Sequence, residues 1–301
     1  MDIAAAEQER QAYLRAQTRS NIGTGTGITI IILAFVAGGI AWIPATVAWL
    51  IGTGGLLLGI LSVINYQHTA KLTQNSIKRQ LVAPILRSFG HEVEYDPERS
   101  LHLNSFRPFG WLSGYEDYVG KDFLKGKHGS TSFVSSMIYT VNRQQQSESA
   151  PTLLLIADSN KHFRGRTVVV SKLWNGRVGK WASSKVQQLN YHNLQAVHLE
   201  DITFEQLFDV YAQDQVEARY LLTPDVMQRL VALRRSINRD FRLAFDKGRV
   251  YVQVDEVTGF DLSLDHKIYP NYVTRNIRYR WDLIGCVIDA LGLNDRVWTK
   301  P

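Results

Sequence analysis

The chain has one cysteine, Cys286, among 301 residues, so no disulfide can form within it. A chain of this size without disulfides fits a reducing compartment. The common enzyme signatures are missing as well. There is no G-x-S-x-G, no H-E-x-x-H, no paired C-x-x-C and no Rossmann glycine fingerprint. The third absence is the most informative: from Ser20 to Ala70, 51 residues pass without an Asp, Glu, Lys or Arg. With no acidic or basic side chain, histidine included, between 21 and 66, a proton relay or ion pathway has no side chains to use.

What fills the charge-free run is two apolar blocks, 27–43 and 45–64, with Pro44 between them. Each is long enough as a helix to cross a hydrocarbon core of about 30 Å. The expectation is a transmembrane helical hairpin over 21–66, turning at Trp42–Ile43–Pro44, with Pro44 at the first position of the second helix. Arg10, Arg15 and Arg19 precede it, and Lys71, Lys78, Arg79 and Arg87 follow it, while the turn carries no charge. The positive-inside rule then puts both termini and all that follows in the cytoplasm. The polar, acid-bearing first 26 residues argue against a cleaved leader. A formal net charge of +6 favours proximity to an anionic inner leaflet.

The remainder divides into a cytoplasmic N-terminal segment (1–20), a linker helix (67–90) ended by Gly90 and interrupted by Pro84, and a soluble domain (91–301). In that domain 131–141 alternates as a strand. The apolar runs 152–157 and 167–173 read as the two arms of a hairpin, and 195–199 alternates again. Thr223-Pro224-Asp225 is a helix start. The runs 241–245 and 249–254 flank Asp246-Lys247-Gly248 as a second hairpin. An amphipathic helix over 272–291 is followed by Gly292. Strands outnumber helices, so the fold class is α+β, a mainly antiparallel sheet with flanking helices behind a transmembrane helical hairpin.

Four features invite chemistry. Residues 120–131 (GKDFLKGKHGST) resemble a phosphate loop, but the second glycine comes one residue late and His128 replaces the magnesium-binding Ser/Thr, so a surface β-turn is the reading. Lys161, His162, Arg164 and Arg166 crowd a turn between two apolar strands, where they could hold a phosphate or lipid headgroup or stand as a solvated loop. Asp214, Glu217 and Arg219 are weak catalytic candidates, and such a set is more often an ion-pair network pinning a helix end. Ala34 with Gly38, and Gly55 with Gly59, are small-xxx-small pairs that allow close helix packing, within one hairpin or between copies. The histidines have no metal-ligand spacing, and neither metal nor cofactor is expected.

Three stretches, 114–139, 153–170 and 197–230, together resemble an uncharacterised family of bacterial membrane proteins known only as a domain of unknown function. The resemblance implies a two-helix membrane hairpin ahead of the domain, in the bacterial inner membrane, and a gene often encoded beside those of LemA-type membrane proteins, with a shared envelope role. It supplies no activity and no catalytic residues, and 120–128 and the tail after about 255 are the least similar parts. The reading that follows is a membrane-tethered scaffold or interaction protein, self-associating through its hairpin, with the bilayer and other membrane proteins as partners. A membrane-associated enzyme for a phosphorylated or lipid-derived substrate, and a small oligomeric pore, are the alternatives. The basic residues are dispersed without an aromatic-basic motif, so no nucleic acid is expected.

Overall fold

The computed structural model describes all residues except 1–2, 40–43, 112–116, 143–146, 149–150, 160–162, 173–193, 256, 258–259, 261–263, 265 and 295–301. Within helices and strands it leaves out the side chains of 19–20, 22–24, 27, 34–35, 38–39, 45, 48, 117, 140–142 and 147–148. The chain forms two compact units, Met1–Pro84 with Leu262–Val273, and Ile85–Asp261 with Thr274–Pro301.

The first unit is built on two long helices, α1 (Ile3–Gly39) and α2 (Ala45–Ser88). Residues 1–20 and the first apolar block are thus one helix from Ile3 onward, and the linker helix continues the second block with Pro84 inside it. The turn residues Trp42 and Ile43 lie outside the described residues. Beyond the apolar blocks the helices run antiparallel. Gln80 donates to Glu9 at 2.7 Å, Gln17 donates to the Tyr66 hydroxyl at 3.0 Å, and the rings of Tyr13 and Tyr66 stack at 5.9 Å. Ala6, Arg10 and Tyr13 are buried along one face of α1, at helical spacing. The apolar blocks are the opposite: Leu33, Trp49, Leu50 and Leu61 are each more than 60% exposed. Among the described residues one helical stretch, Trp49–Ser88, is long and apolar enough to cross a membrane.

The second unit is an antiparallel sheet of ten strands: β1 (Glu94–Asp96), β2 (Asp117–His128), β3 (Thr131–Asn142), β4 (Ser147–Glu148), β5 (Thr152–Asp158), β6 (Thr167–Ser171), β7 (Gln195–Ala196), β8 (Phe208–Ala212), β9 (Phe241–Asp246) and β10 (Arg249–Val254). Their order is β1-β2-β3-β5-β10-β9-β6-β8-β7, with β4 beside the end of β3. The helices are α3 (Ile202–Leu207), α4 (Gln215–Leu221), α5 (Pro224–Ile237) and α6 (Pro270–Ala290).

Local chemistry sets most of these boundaries. Thr223 caps α5 by accepting from the Val226 amide, with Pro224 at its first turn. The β9–β10 loop is Lys247–Gly248, both with positive φ (49° and 71°), the two-residue turn that matches strand twist. Gly90 closes α2 with its own amide on Arg87 and that of His91 on Leu86, a Schellman ending.

Two expectations are corrected. The strands β5 and β6 are not a hairpin: β10 and β9 lie between them, and β5 pairs with β3 and β10. Both are buried on two faces, so neither carries the polar alternation that would mark a hairpin arm, and the short polar connection crosses over instead. Residues 120–128 are not a surface turn but part of the long strand β2, with the turn confined to Gly129–Ser130. Gly129 has φ 59°, and a Cβ there would lie 2.7 Å from the Asn294 side-chain oxygen. That oxygen accepts from the amides of Ser130 and Thr131 and from the Thr131 hydroxyl, fixing the turn.

The core occupies both faces of the sheet. On one, two short 3-10 turns (Leu103–Ser105 and Arg107–Phe109) bring Phe106, Phe109 and Trp111 over Leu154, Ala244 and Tyr251. On the other, α6 lays Trp281 on Phe133, ring centres 5.4 Å apart, over the opposite parity of strand residues.

Candidate functional site

Arg164 of the basic turn and Glu217 of the acidic cluster are 53 positions apart in sequence, and the fold brings them together. The turn leads into β6, and α4 follows β8, the strand paired with β6. The two Glu217 oxygens accept from the amides of Arg164 and Gly165, at 2.7 and 2.8 Å. Gln213 adds a second tie, its side-chain oxygen accepting from the Arg166 amide at 2.9 Å while its own amide donates to the Arg166 carbonyl. Asp214 caps α4, accepting from Val216 and Glu217 at 2.8 and 3.1 Å. Gly165 is held close: a Cβ there would stand 3.2 Å from that of Gln213.

The Glu217 carboxylate is engaged on both oxygens by backbone donors, and the Asp214 oxygen Oδ1 by two more. Arg219 turns back onto its own helix, donating to the Gln215 carbonyl at 3.2 Å and to the His198 carbonyl at 3.5 Å. Arg166 points inward: Nη1 donates to the Pro108 carbonyl at 3.2 Å, Nη2 lies 3.7 Å from Asp246, and the guanidinium sits over Phe109 at 5.3 Å. Arg164 keeps an exposed side chain, and Lys161 and His162 lie outside the described residues. The cluster therefore acts as a lock between a crossover turn and a short helix. Replacing Glu217 with alanine should loosen it by about 2 kcal/mol, since two charge-assisted bonds are lost. Glu217→Gln, which keeps one acceptor, should lose less, and hydrogen exchange at the Arg164 and Gly165 amides is the readout. Unchanged exchange in both variants would show that the lock lies elsewhere.

A depression of about 320 Å³ lies elsewhere on this unit, lined by Asp201, Thr203, Gln228, Val231, Ala232 and Arg235, and it contains neither cluster. No group of three His, Cys, Asp or Glu side chains able to hold a metal occurs among the described residues. Of the small-residue pairs, Gly55 is buried, while a Cβ on Gly59 would meet nothing within 4 Å. Ala34 and Gly38 lie on α1, with side-chain positions outside the described set.

Single-sequence spacing missed two further clusters. At the bulge between Lys121 and Leu124, Asp122 is fully buried with φ 60° and accepts the Tyr95 hydroxyl at 2.7 Å. Arg280, also fully buried, donates to the Asp122 carbonyl at 2.8 Å and lies 4.2 Å from the Phe260 ring centre. Along α6, His128 reaches Asp289 at 2.9 Å across the surface of Gly285, where a Cβ would be only 2.7 Å from the imidazole. His91 stacks on Trp281 at 4.1 Å, and burial, then the neighbouring His128, lowers its pKa. Burial raises the Cys286 thiol, with Asp289 and Asp282 adding to the effect, so the exposed sulfur is not an activated nucleophile.

No curated protein matches the chain. Among solved structures, the crystal structure of the mycobacterial trehalose monomycolate transport factor A, TtfA, aligns with a TM-score of 0.34 and 11% identity. It covers 69% of this chain and 94% of that one, and at this similarity no role transfers. The family match runs through the second half rather than stopping near 255, and it leaves out 114–139. Residues 153–293, from β5 to just past α6, fit a family described as "Protein of unknown function (DUF3137)".

Proposed function

We propose that the chain is a membrane-anchored scaffold or interaction protein, held in the bacterial inner membrane by α1 and α2 and presenting its antiparallel-sheet unit to the cytoplasm. The observation that carries this is the apolar sleeve of α1 and α2. Large aliphatic side chains from Ile28 to Val36 and from Val47 to Ile64 stand 40–72% exposed, far more apolar surface than a helix pair keeps in water. A hydrocarbon environment removes that cost, and the helical backbone is satisfied within each segment. The cations at the outer ends of the sleeve support the cytoplasmic orientation. Self-association is part of the proposal, with the open surface at Gly59 as a place where a second hairpin could approach.

Cys286 offers a test with the natural chain, because it is the single cysteine and is exposed. A membrane-impermeant maleimide at pH 8 should label it in inverted inner-membrane vesicles and leave it unmodified in intact spheroplasts. Labelling in spheroplasts would reverse the orientation. Native mass measurement in mild detergent addresses the scaffold: more than one copy, or a co-purifying membrane protein, is expected. A clean monomer without partners would overturn it.

A further inference from the structure

From Arg10 to His91 the chain contains no Asp or Glu, yet it carries seven Lys and Arg. The helix pair thus has charge of one sign over its whole length past the first three turns. Two of these cations are accounted for inside the fold: Arg10 pairs with Glu7 at 2.6 Å, and Lys78 is buried. Arg15 and Lys71 are exposed. The nearest acids are already engaged, Glu7 by Arg10 and the Ile268 amide, Glu9 by Gln80.

The helix contacts fix the level at which these cations stand. Tyr66 is two residues past Ile64, where the exposed apolar run of α2 ends, and it touches both Tyr13 and Gln17. Arg15 lies between those two on α1 and is therefore level with Tyr66. Lys71 is five residues further along α2, about 7 Å along the axis. The headgroup zone extends roughly 5–8 Å beyond the hydrocarbon on each side, and long basic side chains reach several ångströms toward it along their apolar stems. Tyr66, half-buried beside Tyr13, supplies the amphipathic ring that favours this depth.

We infer that Arg15 and Lys71 form a collar that binds anionic phospholipid headgroups of the leaflet from which the two helices emerge. The inference rests on the membrane-anchored reading above. Each basic residue near an anionic surface contributes about 1 kcal/mol, or roughly fivefold in lipid retention.

The test uses the full chain in two steps. Alkaline carbonate extraction of membranes asks whether it is inserted. Purified protein in detergent is then offered equal phosphatidylglycerol and phosphatidylcholine, and retained lipid is read by native mass spectrometry. The expected result is carbonate-resistant protein that retains phosphatidylglycerol preferentially. Arg15→Gln with Lys71→Gln should lower that retention at least tenfold, and the charge-conserving Arg15→Lys with Lys71→Arg should keep it. Equal retention of the two lipids, or a preference untouched by the glutamine variant, overturns the collar and leaves anchoring intact. Extraction by carbonate overturns both.

Discussion

Replacing Arg280 with methionine is expected to destabilise the sheet unit by about 2–3 kcal/mol, the cost of losing a buried hydrogen bond from a charged donor and leaving its carbonyl acceptor unmet. Arg280 comes from the middle of α6 and has no exposed surface, yet it reaches the β2 bulge, where Asp122 is equally buried. Methionine has similar length and can cover Phe260, so packing alone does not account for the loss. What is lost is the bond from a buried guanidinium to the Asp122 main-chain carbonyl, which is left without that donor. Denaturant midpoints of the purified protein, followed by tryptophan fluorescence, measure the loss. A methionine variant as stable as the parent would show that the buried charge is not what ties α6 to the bulge.

The contrast between this cluster and the basic turn shows what the sequence made legible. Period and punctuation were enough for the strands β3, β5, β6, β9 and β10, for the capped helix α5, and for the amphipathic α6 with its closing Gly292. Each is set by residues within a few positions of one another. The partnership of β5 was not legible, because an apolar strand buried on two faces has the same pattern whatever lies beside it. Nor was the use of Glu217: a carboxylate near an arginine looks catalytic in sequence, and only the crossover turn shows that its partners are the amides of Arg164 and Gly165. The contact between Asp122 and Arg280 gave no signal, since 158 positions separate them. The bulge hid β2 as well. Asp122 and Phe123, bulged between the paired Lys121 and Leu124, disrupt the alternation, and the glycines at 120 and 126 make a strand read as a turn.

The largest pH effect should come from the first turns of α1, where Glu7 joins two parts of the first unit. Its oxygens accept from Arg10 and from the Ile268 amide, and Arg10 in turn donates to the Leu264 carbonyl at 3.1 Å. The Arg10 hydrogen bond, opposed in part by burial, holds the Glu7 pKa at about 2 rather than 4.5. Because the folded value is the lower one, the contribution is fully present above pH 4.5 and is lost as pH falls from there toward 2. At 1.36 kcal/mol per pH unit that depression corresponds to about 3 kcal/mol for a pair that is mostly shielded from solvent. Glu7→Gln removes the charge at every pH and leaves Arg10 buried without it. Hydrogen exchange at the Ile268 amide should then be roughly 100-fold faster at pH 7, and it should no longer accelerate, beyond the intrinsic chemistry, between pH 4.5 and 3 as the parent does. Exchange in β9 and β10 should stay as it was, because those strands belong to the other unit. If Ile268 exchanges at the parental rate in the glutamine variant, the Glu7–Arg10 pair is not what tethers α1 to Ile268.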